Sequence, residues 1–407
     1  MKLWLSSVAV GSLVGTGVSG FGIVSPSVSA SVSASCARSS RCSLSMVTSG
    51  PMSCRPIGIG SAAPKTIISN VDLENVVETS DEWIQSRTGI SQRHVLISGS
   101  NNDEEDNEEV ESIRTLGRDA AKGALEMSKL SPLDIDLVIV ATSSADDLFG
   151  DATSVAAALG CTNAVAFDLT AACSGFLFAT VTAGQFLSNS GNSYKNAIVV
   201  GADALSRWID WEDRNSCILF GDGAGAMVLT ADHKQNNNSD SDDEVGEEQF
   251  GILGSSTHSN GLSYKFLKCE YEGSDVVVNT PDPVTLSKGS YTYLNMDGTQ
   301  VYKFATREVP KVIKEALDAA DMEVEDVDWL LLHQANIRIM EVVANRLKIP
   351  MDKVITNLAD YGNTSAASIP LALDEAVRSG KVKKGDVIAC AGFGAGLSWG
   401  SAILKWG

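Results

Sequence analysis

Short apolar runs of strand length alternate along this chain with longer segments whose apolar residues have helical spacing. The predicted strands are residues 135–142, 164–169, 197–201, 327–332 and 387–391. The predicted helices are residues 113–129, 176–187, 309–320 and 337–347. Such alternation predicts an α/β fold in which helical layers cover a largely buried sheet.

Size, charge and cysteine spacing narrow the class of protein. With 407 residues the chain is longer than an ordinary single domain, so we expect one large domain or two fused halves. The net charge of -20 would repel nucleic-acid phosphates on average, which argues against a nucleic-acid partner. The 8 cysteines are scattered without a C-x-x-C pair, so we predict reduced thiols, no disulfide framework and no metal site.

The N-terminal region has a composition of its own. Residues 1–71 contain no Asp or Glu, although the whole chain has 51 acidic and 31 basic residues. Residues 1–20, with one Lys before an apolar stretch and small residues, have the plan of a secretory signal peptide. Residues 21–54 begin with Phe21, are Ser-rich and carry only basic charges, as plastid transit peptides do. Together they resemble the bipartite presequence of algae with secondary plastids, which predicts the plastid stroma and no membrane span in the mature protein.

Two acidic runs, at residues 101–111 and 234–248, interrupt the globular pattern. Like charges repel and cannot bury surface, so we predict that both runs are solvated loops. We therefore divide the body of the chain into an N-terminal half at residues 55–230, an acidic insert at 231–250 and a C-terminal half at 251–407.

The segment TAACSGF at residues 170–176 lies between a predicted strand and a long apolar helix. It places Cys173 at a helix N-terminus, where unpaired N–H groups and the helix dipole favour a thiolate. Its small neighbours leave room for a substrate. On this segment alone, a buried structural cysteine is an equally good interpretation.

Three further segments supply chemical partners. His333 follows the predicted strand 327–332, and functional groups of α/β proteins are found at such strand ends. Asn363 lies in YGNTSAAS, before another helix, and its amide can donate two hydrogen bonds. The glycine turn at residues 392–396 could bring backbone N–H groups to a substrate oxygen. These residues together favour an enzyme with Cys173 as its nucleophile.

In these and other segments, the chain resembles the β-ketoacyl-acyl-carrier-protein synthase III family, the initiating condensing enzymes of type II fatty acid synthesis. The matching segments are TSDEWIQSRTGI (79–90), TAACSGF (170–176), FGDGAGA (220–226), HQANIR (333–338), YGNTSAAS (361–368) and GAGLSW (394–399). A single motif such as GDGAGA is weak, but six in order are specific. The resemblance implies a thiolase-like fold of two pseudo-duplicated halves in a five-layered αβαβα sandwich, assembled as a homodimer.

The resemblance also implies roles for residues. Cys173 would accept acetyl from acetyl-CoA, and His333 and Asn363 would stabilise the enolate formed as malonyl-acyl carrier protein loses CO2. No cofactor is implied, since acetyl-CoA is a substrate. The implied oxyanion hole is made by the backbone N–H groups of Cys173 and Ala395. The implied CoA contacts are Trp83, Arg87, Thr88 and Arg207. The implied carrier-protein contacts are Gln334, Ala335, Asn336, Ile337, Arg338, Lys303 and Arg346, and Phe149 would reach into the acyl pocket of the dimer partner.

Other interpretations of the same residues remain. A thiolase has a second catalytic cysteine in a C-x-G turn, which Cys390-Ala-Gly392 resembles superficially. A plant-type polyketide synthase also uses Cys, His and Asn. From another class, the chain could be a non-catalytic scaffold with a thiolase-like fold. The Asn363 segment and Trp399 favour the synthase over the thiolase, and Trp83 to Thr88 favour it over the polyketide enzyme.

Overall fold

The computed structural model describes residues 44–48, 51–97, 110–189, 191, 193–232 and 250–407. The predicted signal segment, most of the predicted transit segment and nearly all of the two acidic runs lie outside the described residues. Residues 43–407 form one compact unit.

The described chain forms ten helices and 17 strands. The helices are α1 (Asn70–Leu73), α2 (Asp81–Thr88), α3 (Ile113–Ser128), α4 (Ala152–Leu159), α5 (Gly175–Asn189), α6 (Arg214–Cys217), α7 (Gly298–Ala319), α8 (Ile337–Leu347), α9 (Leu358–Tyr361) and α10 (Ser368–Arg378). The strands are β1 (Leu44–Thr48), β2 (Cys54–Ala62), β3 (Ile67–Ser69), β4 (Gln92–His94), β5 (Leu137–Ala141), β6 (Val165–Leu169), β7 (Asn196–Ala204), β8 (Asp222–Ala231), β9 (Gly251–Ser259), β10 (Leu267–Lys268), β11 (Tyr271–Val278), β12 (Val284–Tyr291), β13 (Asn295–Met296), β14 (Trp329–Leu332), β15 (Val354–Ile355), β16 (Val387–Gly394) and β17 (Ser398–Lys405).

Two sheets with the same plan organise these elements. The first has the strand order β2-β8-β7-β5-β6, and the second has the order β9-β17-β16-β14-β15, extended at its edge by β1. In each, the first two pairings are antiparallel and the last two are parallel. The connecting helices also correspond, since α3, α4 and α5 occupy the places in the first half that α7, α8 and α10 occupy in the second. The predicted duplication is therefore confirmed.

The helices form three layers around the two sheets. Helices α5 and α10 lie between the sheets and contact strands of both. Helix α3 packs on the other face of the first sheet, and α7 packs on the other face of the second. Separate apolar clusters fill these spaces, one between the sheets and one under each outer layer. This is the predicted five-layered αβαβα arrangement.

Several strands lack the apolar pattern that would have predicted them. A side-chain carbon at Gly225 of β8 would lie 2.7 Å from Pro370 of α10, and one at Gly254 of β9 would lie 2.4 Å from the carbonyl oxygen of Ala316. Glycine therefore lets the helices approach these strands closely, but it interrupts the hydrophobic run. Helix α7 also begins at Gly298, capped by Asp297, well before the predicted start at residue 309.

The fold begins before the predicted start at residue 55, which is thereby corrected. Met52 and Cys54 are both buried, and Cys54 is already the first residue of β2. Earlier still, β1 pairs in antiparallel fashion with β9. Within the described residues, no helix is long and apolar enough to cross a membrane.

Candidate active site

Loops at one end of both sheets enclose a cavity of about 850 Å³. Cys173, His333 and Asn363 all line it, although they are far apart in the sequence. Cys173 follows β6 and His333 follows β14, so each extends from the carboxyl end of a parallel strand. Asn363 lies in the turn before α10, the helix that corresponds to α5 after Cys173. The duplicated fold thus brings the three predicted residues to one site.

Cys173 lies in a short 3-10 turn, Ala172–Ser174, that leads directly into α5. The Ser365 hydroxyl donates a hydrogen bond to its sulfur over 3.3 Å. Burial raises the pKa of the Cys173 thiol to about 12 and outweighs the hydrogen bond that lowers it. Cys173 lies before a helix, as predicted, but the expectation that this position favours a thiolate is corrected, because desolvation outweighs it and favours the neutral thiol.

The glycine turn at residues 392–396, which includes the end of β16, packs directly on Cys173. A side-chain carbon at Gly394 would lie 2.6 Å from the Cys173 backbone nitrogen, so only glycine permits this approach. Ala395 follows it and also lines the cavity. The two backbone segments predicted to form the oxyanion hole therefore lie side by side.

His333 is buried, and its environment fixes the ring. Its Nδ1 lies 2.7 Å from the Ser368 hydroxyl, and its backbone N–H donates to the Ala391 carbonyl at 2.8 Å. The edge of the Phe393 ring packs on it at a centroid distance of 5.3 Å. Burial lowers the pKa of His333 to about 3, so the imidazole is neutral at physiological pH.

Asn363 is held by both its backbone and its side chain. Its backbone N–H donates to the Leu219 carbonyl at 2.8 Å, and its carbonyl accepts from Gly221 at 3.0 Å. The amide oxygen accepts a hydrogen bond from the Ser365 backbone N–H at 2.9 Å. Because an N–H must face oxygen there, the amide NH2 is oriented away from this turn and is available to a ligand.

The predicted CoA contacts divide into two groups. The Arg87 guanidinium carbon lies 5.6 Å from the centre of the Trp83 ring, which supports their association. Thr88 is buried, and its hydroxyl already bonds to the Ile84 carbonyl and the Ile90 N–H. Its assignment as a CoA contact is therefore corrected, since the side chain is 2% exposed and its hydroxyl proton is already donated inside the protein.

Arg207 lies elsewhere, paired with Asp146 at 2.8 Å and donating to the Ser144 carbonyl. Arg214 is a second cation over the Trp83 ring, with its guanidinium carbon 4.9 Å from the ring centre. Arg207 and Arg214 are the first and last residues of the segment 207–214. Sequence position alone could not show which of the two arginines belongs to the predicted CoA contacts. The structure therefore replaces Arg207 with Arg214 at this surface.

The predicted carrier-protein residues are also divided by burial. Gln334 is 1% exposed and bonds to the carbonyls of Leu332 and Ile355, so it supports the fold and cannot contact a partner. Asn336 caps α8. The remaining predicted residues are partly buried (Ala335 and Ile337) or exposed (Lys303, Arg338 and Arg346).

Arg338 and Asn336 join α8 to α2, the helix that carries Trp83. Arg338 donates to the Ser86 carbonyl at 2.6 Å, and Asn336 donates to the Arg87 carbonyl at 3.1 Å. The residues predicted for the carrier protein therefore touch those predicted for CoA.

Phe149, predicted to reach across a dimer, is 95% exposed in the single chain. The adjacent Leu148 is 85% exposed, and both line the outer part of the cavity. Two large apolar side chains so exposed mark a contact surface at the cavity edge.

Comparison with known proteins agrees with this arrangement. The family model "3-Oxoacyl-[acyl-carrier-protein (ACP)] synthase III" matches residues 167–261, and the model of its C-terminal region matches residues 317–406. A β-ketoacyl-[acyl-carrier-protein] synthase III of Microcystis aeruginosa is 51% identical over 350 residues, which cover 86% of this chain and 96% of that protein. The chain belongs to the β-ketoacyl-[acyl-carrier-protein] synthase III family.

Solved structures extend the comparison. The synthase III of Aquifex aeolicus has a TM-score of 0.72 and 38% identity, covering 87% of this chain and 100% of that one. The priming β-ketosynthase of the R1128 polyketide pathway has a TM-score of 0.71 and 32% identity, covering 89% of this chain and 98% of that one. The thiolase-like fold of the synthase III family is therefore shared across most of the chain.

The position of Cys390 bears on the thiolase alternative. Cys390, the cysteine that resembles a second thiolase nucleophile, is fully buried inside β16 and does not line the cavity. Burial raises the pKa of its thiol to about 12. Cys390 is thus a strand residue, as the synthase interpretation expects.

Proposed function

We propose that this enzyme catalyses the condensation of acetyl-CoA with malonyl-acyl carrier protein, which gives acetoacetyl-acyl carrier protein, CO2 and CoA. The observation that carries the proposal is the convergence of Cys173, His333 and Asn363 on one cavity, in a chain 51% identical to a synthase III. The reaction would begin fatty acid synthesis.

The first half-reaction loads the enzyme. The Cys173 sulfur attacks the acetyl-CoA thioester, an S–C bond forms, and CoA leaves with the proton that the thiol gives up. The carbonyl oxygen becomes negative in the tetrahedral intermediate, where the backbone N–H groups of Cys173 and Ala395 stabilise it.

The second half-reaction extends the acyl group. As malonyl-acyl carrier protein loses CO2, its thioester oxygen takes up enolate charge. A neutral His333 that accepts from Ser368 at Nδ1 carries its proton at Nε2, and Asn363 offers its amide NH2. These donors stabilise the enolate, whose carbon then attacks acetyl-Cys173 and releases the thiolate.

The surface around Trp83 is the proposed binding site for the CoA nucleotide. Arg87 and Arg214 both lie over the indole ring, and the three side chains supply a stacking surface and two cations for phosphate. Leu148 and Phe149 support a homodimer, because apolar side chains of this size are seldom left exposed.

The acid-free presequence supports delivery to a plastid, and the relatives at about half identity are cyanobacterial. Since β1 begins at Leu44, the mature protein should start at or before that residue. N-terminal sequencing of the organelle protein tests this, and a terminus beyond Leu44 would contradict it.

The function is tested with purified enzyme, labelled acetyl-CoA and malonyl-acyl carrier protein. We expect CO2 release, acetoacetyl-acyl carrier protein and one acetyl group on the peptide containing Cys173. Cys173→Ser should lose acyl transfer, whereas the control Cys390→Ser should keep it. Thiolysis without CO2 release, or acetyl on Cys390, would indicate a thiolase instead.

A further inference from the structure

Ser365 contacts two of the three proposed catalytic residues. Its hydroxyl donates to the Cys173 sulfur at 3.3 Å, and its backbone N–H donates to the Asn363 amide oxygen at 2.9 Å. It is 1% exposed, so water does not compete for these bonds. Neither half-reaction described above uses its hydroxyl.

Ser365 adopts an unfavourable backbone conformation to make these contacts. Its φ angle is 51°, in the left-handed region that residues with a side chain rarely adopt. Such strain persists where the surroundings impose it, and it is concentrated at functional sites.

The buried Asp203 holds this turn in place. Its carboxylate accepts hydrogen bonds from the Ala366 N–H at 3.1 Å and from the Ser143 N–H at 2.7 Å. Asp203 thus ties the turn before α10 to the loop after β5, and so joins the two halves of the molecule at the cavity.

The surroundings of Cys173 oppose a thiolate. The ionisable groups that face it are Asp203, whose negative charge raises the thiol pKa further, and His333, which is neutral. A buried anion needs a hydrogen-bond donor, and the Ser365 hydroxyl is the side-chain donor that reaches the sulfur within the described part of the chain.

We propose that Ser365 is a further catalytic group of the acylation half-reaction, whose hydroxyl donates to the Cys173 sulfur as it becomes a thiolate, and that Asp203 is a positioning residue that holds Ser365. The role assigned to Ser365 rests on the proposed function, because acylation of Cys173 is the step it assists. Ser365 would thus act in acylation, whereas His333 and Asn363 act in the decarboxylation.

The test measures alkylation of Cys173 by iodoacetamide as a function of pH, with the modified peptide mapped by mass spectrometry. Ser365→Ala should slow alkylation at neutral pH by about 10- to 100-fold, the worth of one hydrogen bond to a charged group. Ser365→Gly should show the same loss, and it guards against misfolding because glycine suits a positive φ. Ser365→Thr, which keeps a hydroxyl, should recover part of the rate.

The matched control is Ser401→Ala, which removes another buried hydroxyl, bonded to the Cys390 carbonyl at 2.9 Å. Its alkylation profile should equal that of the parent enzyme. An unchanged profile in Ser365→Gly, or an equal shift in Ser401→Ala, overturns the role of Ser365. Alkylation needs no acyl substrate, so a parent enzyme that alkylates as expected but takes no acetyl from acetyl-CoA would instead refute the proposed function.

The part played by Asp203 is tested by a double-mutant cycle. The variant is Asp203→Glu, because Asp203→Asn would also remove the negative charge that raises the pKa of the Cys173 thiol. If Asp203 acts through Ser365, Asp203→Glu should slow alkylation in the parent and have little further effect in Ser365→Gly. Additive changes would show that Asp203 acts independently and would overturn its positioning role.

Discussion

The hydroxyl of Ser368 lies 2.7 Å from Nδ1 of His333. Ser368 is the first residue of α10, and His333 follows β14 of the second sheet, so the contact links the central helical layer to a strand end. Because the ring is neutral, a hydroxyl that donates to Nδ1 leaves the proton on Nε2. The orientation of one serine thereby determines whether His333 can donate to an enolate.

We expect His333→Ala and Asn363→Ala to keep much of the acetylation of Cys173 while CO2 release falls by about 10²- to 10³-fold, since each removes one enolate donor. Ser368→Ala should cause a smaller loss, on the order of tenfold, because it removes only the bond that orients the ring. Single-turnover acetylation and CO2 release, measured on the same preparations, separate the two effects. Equal loss of both half-reactions in Asn363→Ala would refute this division of labour.

The buried environment of His333 predicts how CO2 release depends on pH. Because burial lowers the pKa of His333 to about 3, the ring stays neutral from pH 8 down to well below pH 5, and decarboxylation should not fall through its protonation in that range. The measurement is the single-turnover rate of CO2 release from malonyl-acyl carrier protein between pH 5.5 and 8. A loss of rate with a midpoint near the ordinary histidine value of about 6.5 would show that the ring is more accessible than the structure has it.

The sequence was sufficient for the features that depend on one segment. Apolar runs located β5, β14 and β16, and helical spacing located α3, α5 and α8. The proposed nucleophile and its two partners were also recognisable, because each stands in a short segment with distinctive neighbours. Strands rich in glycine, such as β8 and β9, were missed, since their small residues serve helices that pack on them from distant parts of the chain.

Contacts between distant segments explain why the roles of several site residues differ from those predicted from the sequence. Gln334 is polar and lies beside exposed residues in the sequence, so nothing local indicates that its amide is used by the Leu332 and Ile355 carbonyls. Ser365 stands in a recognised segment, but its role depends on Cys173, 192 positions away. Thr88 and Arg207 were likewise assigned by position, and only packing shows that Thr88 is buried and that Arg207 is paired with Asp146.

Arg214 and Arg207 provide a matched test of the nucleotide surface. Arg214→Ala should raise the KM for acetyl-CoA by roughly 2- to 5-fold, the worth of an exposed cation–π contact, with little change in kcat. Arg207→Ala should leave that KM nearly unchanged and lower the melting temperature instead, because it removes the ion pair with Asp146. Steady-state kinetics and thermal unfolding measure the two effects. The opposite pattern would return the CoA contact to Arg207.

With a net charge of -20, this enzyme must bind a carrier protein that the family resemblance implies is acidic too. Screening limits attraction between exposed charges to about a Debye length, ~8 Å at physiological salt, so a small basic patch must act locally. Arg338, Lys303 and Arg346 are exposed cations on α8 and α7 and are the candidates for this patch. We expect Arg338→Glu to raise the KM for malonyl-acyl carrier protein several-fold and to leave acetylation by acetyl-CoA nearly unchanged.

The bond from Arg338 to the Ser86 carbonyl requires a control, because the same substitution could displace α2 and the surface around Trp83. Arg338→Gln keeps a donor for that carbonyl and removes the charge, so it should reproduce most of the effect on the carrier protein. Lys303→Glu and Arg346→Glu change the charge without touching that bond, and each should raise the same KM. Added salt should weaken the parent interaction more than that of Arg338→Gln. Suppose instead that Arg338→Gln has the parent's KM for malonyl-acyl carrier protein while Arg338→Glu impairs acetylation by acetyl-CoA. Arg338 would then serve to hold α2 in place, and the docking patch would lie elsewhere.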